Sequence, residues 1–199
     1  MSGQPRMREV SMAGDIERLG KWLRNEQIPA VNTHMEMHCL LGEAWFASYF
    51  QSGIGATGTV DILAIPATGS IEPHIFRRIS VHSDALLYAF EGFTLTASGT
   101  AMNAANYRRM AQGVNAPTLL LFSQPAIAAP GTQYGPQIIP GGNTANAQGS
   151  TFESRFPVTL GPGIPVIFRV QNNSGRVSDI GFEISWFEDT IVDPALPGI

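Results

Sequence analysis

The sequence predicts a mainly β protein, an antiparallel β-sandwich or jelly roll with an N-terminal helical arm. Three observations support this fold class. Several short segments alternate apolar and polar residues, which is the pattern of strands with one buried face. Turns containing Gly and Pro separate these segments, and 21 Gly and 14 Pro occur in the 199 residues. Many short strands with little helix between them are typical of sandwiches, jelly rolls and barrels.

Residues 1–30 are predicted to form an arm with a short amphipathic helix. Asp15 suits the N-cap or the first turn of this helix, and Pro29 ends the segment. The arm is net positive, whereas the rest of the chain is net negative. Its apolar stripe must be buried, either against its own domain or by docking on a neighbouring subunit. In the second case the interface residues are Ile16, Leu19, Trp22 and Leu23.

Residues 31–190 are predicted to form the sandwich domain. Its first part is ambiguous, because residues 35–41 alternate as in a strand whereas the aromatic residues of 45–50 have helical spacing. The dipeptide Glu91-Gly92 predicts a bend or a bulge within one long strand. Residues 125–150, rich in Gly, Pro and Ala, predict a long loop. Strands are predicted at 59–65, 74–81, 85–90, 93–97, 118–122 and 156–160.

Residues 166–188 predict the antiparallel hairpin that closes the domain. Apolar residues occupy every second position along 166–170 and again along 180–186, and a turn-forming Asn-Asn-Ser-Gly segment lies between them. We expect Phe182 and Trp186 to lie on one inward face. Residues 191–199 contain two prolines and predict an extended C-terminal tail.

Composition limits the classes of function. Charged residues make up 14% of the chain, below the roughly 25% of typical soluble domains, and eleven of the twelve basic residues are Arg. An Arg-rich surface is typical of protein interfaces, although a G+C-rich genome would give the same bias. The net charge of −4 argues against nucleic acid as the main partner. Neither a signal peptide nor a membrane span is predicted, because the apolar runs are too short.

A metal site is the first chemical hypothesis to test. In a strand, His34, Glu36 and His38 would share one face, with Glu43 nearby, and imidazole and carboxylate are suitable ligands for transition metals. The spacing, however, lacks the His-x-His of cupin-like jelly rolls and the His-Glu-x-x-His of zinc proteases. Surface or partly buried histidines are therefore predicted, with no metal.

Other motifs also predict neither an enzyme nor a cofactor. Residues 53–58 read Gly-Ile-Gly-Ala-Thr-Gly, but a strand rather than a helix follows, so a turn is predicted in place of a nucleotide site. The apolar neighbours of Cys39 predict a buried, inert thiol. The nucleophile elbow of serine hydrolases, Gly-x-Ser-x-Gly, does not occur in the sequence. Asn172-Asn173-Ser174 matches a glycosylation acceptor, which means little without a secretory signal.

Three segments resemble a recurrent pattern in virion proteins of tailed bacteriophages. In residues 88–109, a Glu-Gly…Thr…Gly-Thr strand and turn precede a loop rich in Asn and Arg. A Pro-Gly-Gly at 140–142 follows, and residues 160–188 match the closing Leu-x-Pro-Gly … Arg-Val-x-Asn-x-Ser-Gly … Ile-x-Trp segment. The resemblance extends over residues 81–189. The virion proteins that carry this pattern are similar to capsid cement or decoration proteins with β-sandwich folds.

The resemblance implies a structural virion protein, located in the capsid and made in the cytoplasm of the host bacterium. Such a cement protein stabilises the head by bridging major capsid subunits. The major capsid protein is the implied partner, and a homo-oligomer, dimer or trimer, is expected, with no catalytic residue, no nucleic acid and no membrane. The alternatives are a head–tail or tail accessory protein, a glycan-binding fibre protein and a metal-dependent jelly-roll enzyme.

Overall fold

The computed structural model describes residues 30–69, 71–108, 116–141, 149–154 and 157–190. The chain divides into two units, Met1–Met37 and His38–Ile199. Residues 1–29 of the predicted arm, including Ile16, Leu19, Trp22 and Leu23, and the predicted tail lie outside the described residues. Among the described residues, no helix is both long and apolar enough to cross a membrane.

The described residues form one helix, α1 (Ala30–Leu41), and otherwise strands, so the predicted mainly β fold is confirmed. The strands, in chain order, are β1 (Ala44–Ile54), β2 (Thr59–Ile65), β3 (Ile71–Val81), β4 (Ala85–Glu91), β5 (Thr94–Ala97), β6 (Thr100–Ala101), β7 (Ala105–Asn106), β8 (Leu120–Ser123), β9 (Ala126–Ala129), β10 (Thr132–Ile139), β11 (Ser150–Glu153), β12 (Val158–Thr159), β13 (Val166–Asn172) and β14 (Ser178–Thr190).

The strands form two six-stranded antiparallel sheets and one short ribbon. The first sheet has the order β11–β3–β14–β1–β7, with β12 also pairing with β3. The second has the order β10–β4–β13–β2–β8–β6, and β5 pairs with β9 in the ribbon. Among the described strands, four pairings follow a nested order: β1 with β14, β2 with β13, β3 with the two-residue β12, and β4 with β10.

Alternate residues of both sheets meet in one hydrophobic core, an arrangement consistent with a β-sandwich. In the first sheet the Trp45 and Trp186 rings stack with their centroids 6.2 Å apart. Phe168 of the second sheet is fully buried in the same core. Phe182 and Trp186 are both buried there, so their predicted shared inward face is confirmed.

The predicted closing hairpin is wrong in its pairing. Strand β13 pairs with β2 and β4 of the second sheet, whereas β14 pairs with β1 and β3 of the first. Residues 173–177 therefore connect two sheets. The alternating pattern reports that one face of a strand is buried, but it carries no information on which strand lies beside it.

The ambiguous segment 35–50 resolves into a helix followed by a strand, the reverse of its local patterns. Residues 35–41 belong to α1, and residues 45–50 belong to β1. Trp45 and Ala47 face the core, whereas the outward Phe46 packs against Tyr107 with ring centroids 4.9 Å apart. Because aromatic residues occupy both faces of β1, including the exposed Phe50, the expected alternation is hidden in the sequence.

The chain turns at Glu91-Gly92 as predicted, but β4 and β5 pair in different sheets and do not form one long strand. The predicted loop 125–150 is wrong in part. Strands β4 and β5 meet at Gly92, which has φ 66°, and their partners β10 and β9 meet at Gly131, with φ 72°. A Cβ at Gly131 would lie 2.2 Å from the carbonyl oxygen of Glu91, so only glycine fits this crossing. The supposed loop contains β9 and β10, whose prolines and lack of charge do not resemble a regular strand.

Candidate functional site

Strands β9 and β10 form an uncharged and exposed edge of the fold. The sequence contains no Asp, Glu, Lys or Arg between Arg109 and Glu153. Strand β10 ends the second sheet and has no described strand on its outer side. Every residue from 128 to 138 is exposed. We call residues 126–139 the uncharged edge.

The uncharged edge presents two large, exposed side chains. Tyr134 is 51% exposed and Ile138 is 73% exposed. The hydroxyl of Tyr134 donates a hydrogen bond to Glu91 Oε2 at 3.3 Å. Edge strands are usually protected by charged residues, prolines or bulges. This edge has Pro136 and an irregular register between Tyr134 and Gln137, but no charge. Pro136 and the irregular register oppose pairing at the middle of β10, but the missing charge leaves the exposed side chains of the edge open to an apolar partner surface.

A pocket of about 290 Å³ opens behind the uncharged edge, between the two sheets. Tyr134 and Glu91 contribute to one wall, and Leu160 and Ile164 to another. Arg77 of β3 lines the pocket from an inward-facing position and is only 8% exposed. Its guanidinium carbon lies 5.2 Å from the centroid of the Phe168 ring. Burial lowers the pKa of Arg77 from its ordinary value.

The strand face that the metal hypothesis requires for His34, Glu36 and His38 does not form, because all three residues lie in α1. Residues two apart on a helix point in different directions, and Glu36 is exposed. The fold brings His38 and Glu43 together, with His38 Nδ1 3.0 Å from Glu43 Oε2. Among the described residues, no group of three or more His, Cys, Asp or Glu side chains is placed to hold a metal ion.

His38 belongs instead to a cluster of stacked rings and carboxylates. The Phe187 ring lies between two imidazoles, with its centroid 4.5 Å from that of His38 and 4.7 Å from that of His74. Asp189 Oδ1 lies 3.2 Å from His38 Nε2, and its other oxygen lies 3.5 Å from His74 Nε2. Burial alone would lower the pKa of His38, but Asp189 and Glu43 outweigh burial, and the net shift raises it above 6.5.

The Asn-x-Ser-Gly part of the closing pattern has a structural role. Asn172 is fully buried, and its amide nitrogen donates to the carbonyl oxygens of Ile54, Gly55 and Arg176 at 2.6–3.1 Å. Its Oδ1 accepts hydrogen bonds from the backbone N–H and hydroxyl of Ser174. The glycosylation match at Asn172 is therefore enclosed within the folded protein.

The Arg of the same pattern is also structural. The Nε and Nη2 atoms of Arg169 each donate to an Asp61 carboxylate oxygen at 2.7 Å, and this raises the pKa of Arg169. The same guanidinium lies 5.0 Å from the centroid of the Phe90 ring. This bidentate ion pair joins β2 to β13, in which Asp61 and Arg169 lie directly opposite each other.

Two smaller predictions have different outcomes. The glycine-rich segment 53–58 ends β1 and turns into β2, where the Gly58 N–H donates to the Gly55 carbonyl at 3.0 Å, so the predicted turn is confirmed. Cys39 is only partly buried, so the predicted burial of its thiol is wrong in degree.

Sequence reasoning missed both the uncharged edge and Arg77. The signal for the first was the long interval without charge, which was interpreted as a loop. The signal for the second was a charged residue at an inward position between Ile75 and Ile79, where the alternation requires burial.

The fold and its exposed features define a mainly β, antiparallel two-sheet protein with an uncharged edge and an arginine pocket. No family model matches the chain, and a comparison with curated proteins finds none with a matching sequence.

Proposed function

We propose that this protein is a structural protein of a tailed-bacteriophage virion, a capsid cement or decoration protein that bridges major capsid subunits. Its work would be mechanical, because buried contacts between neighbouring subunits would help a filled head to resist internal pressure. The observation that carries the proposal is the uncharged edge, residues 126–139. A soluble monomer gains nothing from an exposed, charge-free edge strand, whereas a protein that assembles with others uses it for contact.

We also propose that the two sheets form a jelly roll. The nested pairing of β1 with β14, β2 with β13, β3 with β12 and β4 with β10 supports this, because it corresponds to one long hairpin rolled into two layers. Along the chain, these eight strands alternate between the two sheets, except at the step from β4 to β10, which both lie in the second sheet. Jelly rolls are common in viral capsid proteins and in lectins. This topology therefore agrees with the sequence resemblance to virion proteins.

The uncharged edge would bind by main-chain pairing and by its two exposed side chains. A partner strand placed beside β10 would satisfy the outward N–H and C=O groups. Tyr134 and Ile138 would then be covered, and large buried side chains near the centre of an interface contribute most of its binding energy. The partner in this proposal is the major capsid protein. A second copy of the chain at the same edge would instead give the expected homo-oligomer.

Residues 1–30 are the second element of the proposal. Their amphipathic stripe of Ile16, Leu19, Trp22 and Leu23 is proposed to dock on a neighbouring subunit. Deletion of residues 1–29 should then leave a folded body with reduced attachment to heads, and Trp22→Ala alone should weaken attachment. An insoluble truncated protein would instead indicate that the stripe belongs to the core of its own domain.

The edge is tested by comparing Ile138→Lys with a matched control, Val177→Lys. Both residues are exposed and apolar, at 73% and 67%, and Val177 lies outside the uncharged edge. Each variant is mixed with undecorated heads of the phage that encodes the protein, and occupancy is measured by sedimentation and cryo-imaging. We expect both variants to fold normally and only Ile138→Lys to lose attachment, because a lysine at an edge opposes strand pairing.

Three results would argue against the proposal. Equal occupancy of the two variants would exclude the uncharged edge as the contact surface. Failure of the wild-type protein to bind heads would exclude the cement function. Immunogold labelling of tails rather than heads in intact particles would indicate the alternative function, a tail or head–tail accessory protein.

A further inference from the structure

Arg77 is a buried cation without an anionic partner among the described residues. Its side chain is 8% exposed, and its Nε atom is buried with no hydrogen-bond acceptor. Burial lowers its pKa, and none of the described carboxylates forms an ion pair with it. Arg169 differs, because its Nε and Nη2 atoms both donate hydrogen bonds to the Asp61 carboxylate. A buried guanidinium is stable only when an anion or several acceptors replace its lost hydration.

The Arg77 side chain lies at the wall of the pocket behind the uncharged edge. Arg77 occupies the same face of β3 as the buried Ile75 and Ile79, so its side chain enters the space between the sheets. Phe168 of the opposite sheet contacts the guanidinium and lines the same pocket. The volume of about 290 Å³ is near the lower end for small-molecule sites, which begin at roughly 300 Å³.

We propose that this pocket binds a carboxylate carried on a compact apolar body, with Arg77 as its anchor. The planar guanidinium presents parallel N–H groups that match the two oxygens of a carboxylate. Leu160, Ile164 and Val166 supply apolar walls for the rest of the ligand. This inference does not depend on the virion function, since it rests on the pocket alone.

Glu91 selects between classes of anion. Its carboxylate lines the same pocket and accepts a hydrogen bond from the Tyr134 hydroxyl. It is not within ion-pair distance of Arg77, but it adds negative charge to the pocket. A second negative charge on the ligand would be repelled more strongly than a single one. A monoanionic carboxylate is therefore favoured over a phosphate dianion.

The test measures binding of 4-methylpentanoate to the full chain by titration calorimetry at pH 7. Three comparison ligands separate the contributions: 4-methylpentanamide lacks the charge, acetate lacks the apolar body, and inorganic phosphate carries more charge. We expect saturable one-to-one binding of 4-methylpentanoate, with affinities for the comparison ligands at least about tenfold lower, because charge-assisted hydrogen bonds are roughly twice as strong as neutral ones.

Two protein variants and a matched control assign the binding to the pocket. Arg77→Met should abolish binding, whereas Arg78→Met should leave it unchanged, because Arg78 is the exposed neighbour on the opposite face of β3. Glu91→Gln should increase affinity several-fold, since it removes the repelling charge and its amide oxygen still accepts from Tyr134. This variant keeps the test decisive even if Arg77→Met does not fold.

The outcomes are distinct. Equal binding of the acid and the amide, tighter binding of phosphate, or no saturable binding would overturn the proposal. Loss of binding in Arg78→Met, or an affinity unchanged in Glu91→Gln, would place the carboxylate elsewhere on the protein and would overturn it as well. None of these results bears on the attachment of the uncharged edge to heads, which Ile138→Lys tests separately.

Discussion

Replacing Trp186 with alanine tests the assignment of the inward face of β14. The Trp186 side chain is 0% exposed and stacks on Trp45 inside the shared core. Burial of an aromatic side chain removes about 150–250 Å² from water. At roughly 25 cal/mol per Å² this area corresponds to about 4–6 kcal/mol, and measured Trp→Ala changes in cores cost about 3–5 kcal/mol. We expect a loss of stability in the latter range.

The hydrogen bond of Trp186 adds little to this cost. Its Nε1 donates to Glu188 Oε1 at 3.2 Å. The same carboxylate also accepts from the backbone N–H groups of Thr118 and Leu119, at 2.8 and 2.9 Å. The Glu188 carboxylate therefore keeps two donors after the substitution, so no buried charge is left without hydrogen bonds.

Urea unfolding followed by circular dichroism measures the effect, with Glu183→Ala as the control. Glu183 lies three residues earlier on the outward face of β14 and is half-buried. Its replacement should change the free energy of unfolding by no more than about 0.5 kcal/mol. For a chain of this size, the Trp186→Ala loss corresponds to a fall in Tm of about 6–20 °C. Equal effects of the two substitutions would refute the register of β14 against β1 and β3.

Three further predictions follow from the buried polar groups. Asn172→Ala should cost about 1–3 kcal/mol, because the carbonyl oxygens of Ile54, Gly55 and Arg176 lose the donor that the buried amide supplies. The exposed Asn173→Ala should cost almost nothing, and equal costs in urea unfolding would contradict the role of Asn172. His38→Gln should destabilise the protein more at pH 6 than at pH 8. The folded pKa of His38 lies above the unfolded value, so the stability it contributes is present below pH 6.5 and is lost as the pH rises through the folded pKa. A loss that does not vary with pH would refute this. Without a ligand, Arg77→Met should raise the free energy of unfolding by about 1–3 kcal/mol, because it removes an unpaired buried charge; a decrease of similar size would indicate a partner that neutralises Arg77.

The sequence by itself determined the class of fold and the direction of many side chains. Residues 59–65 are predicted as a strand with the bounds that β2 has in the structure, and the period-2 pattern of 180–186 predicts the burial of Phe182 and Trp186. These predictions succeed because alternation is a local consequence of strand geometry, in which one face meets the core. The bend at Gly92 was predictable for a similar reason, since glycine tolerates a positive φ.

Pairing and the contents of the candidate site were decided only in the tertiary structure. Strands β13 and β14 are neighbours in sequence, but they lie in different sheets, because their partners are supplied by segments more than 60 residues away. The same holds for Arg77, whose charge is notable only because the opposite sheet offers Phe168 rather than a carboxylate. Strand partners and charge partners are contacts between distant residues, and a local pattern of residues carries no information about them.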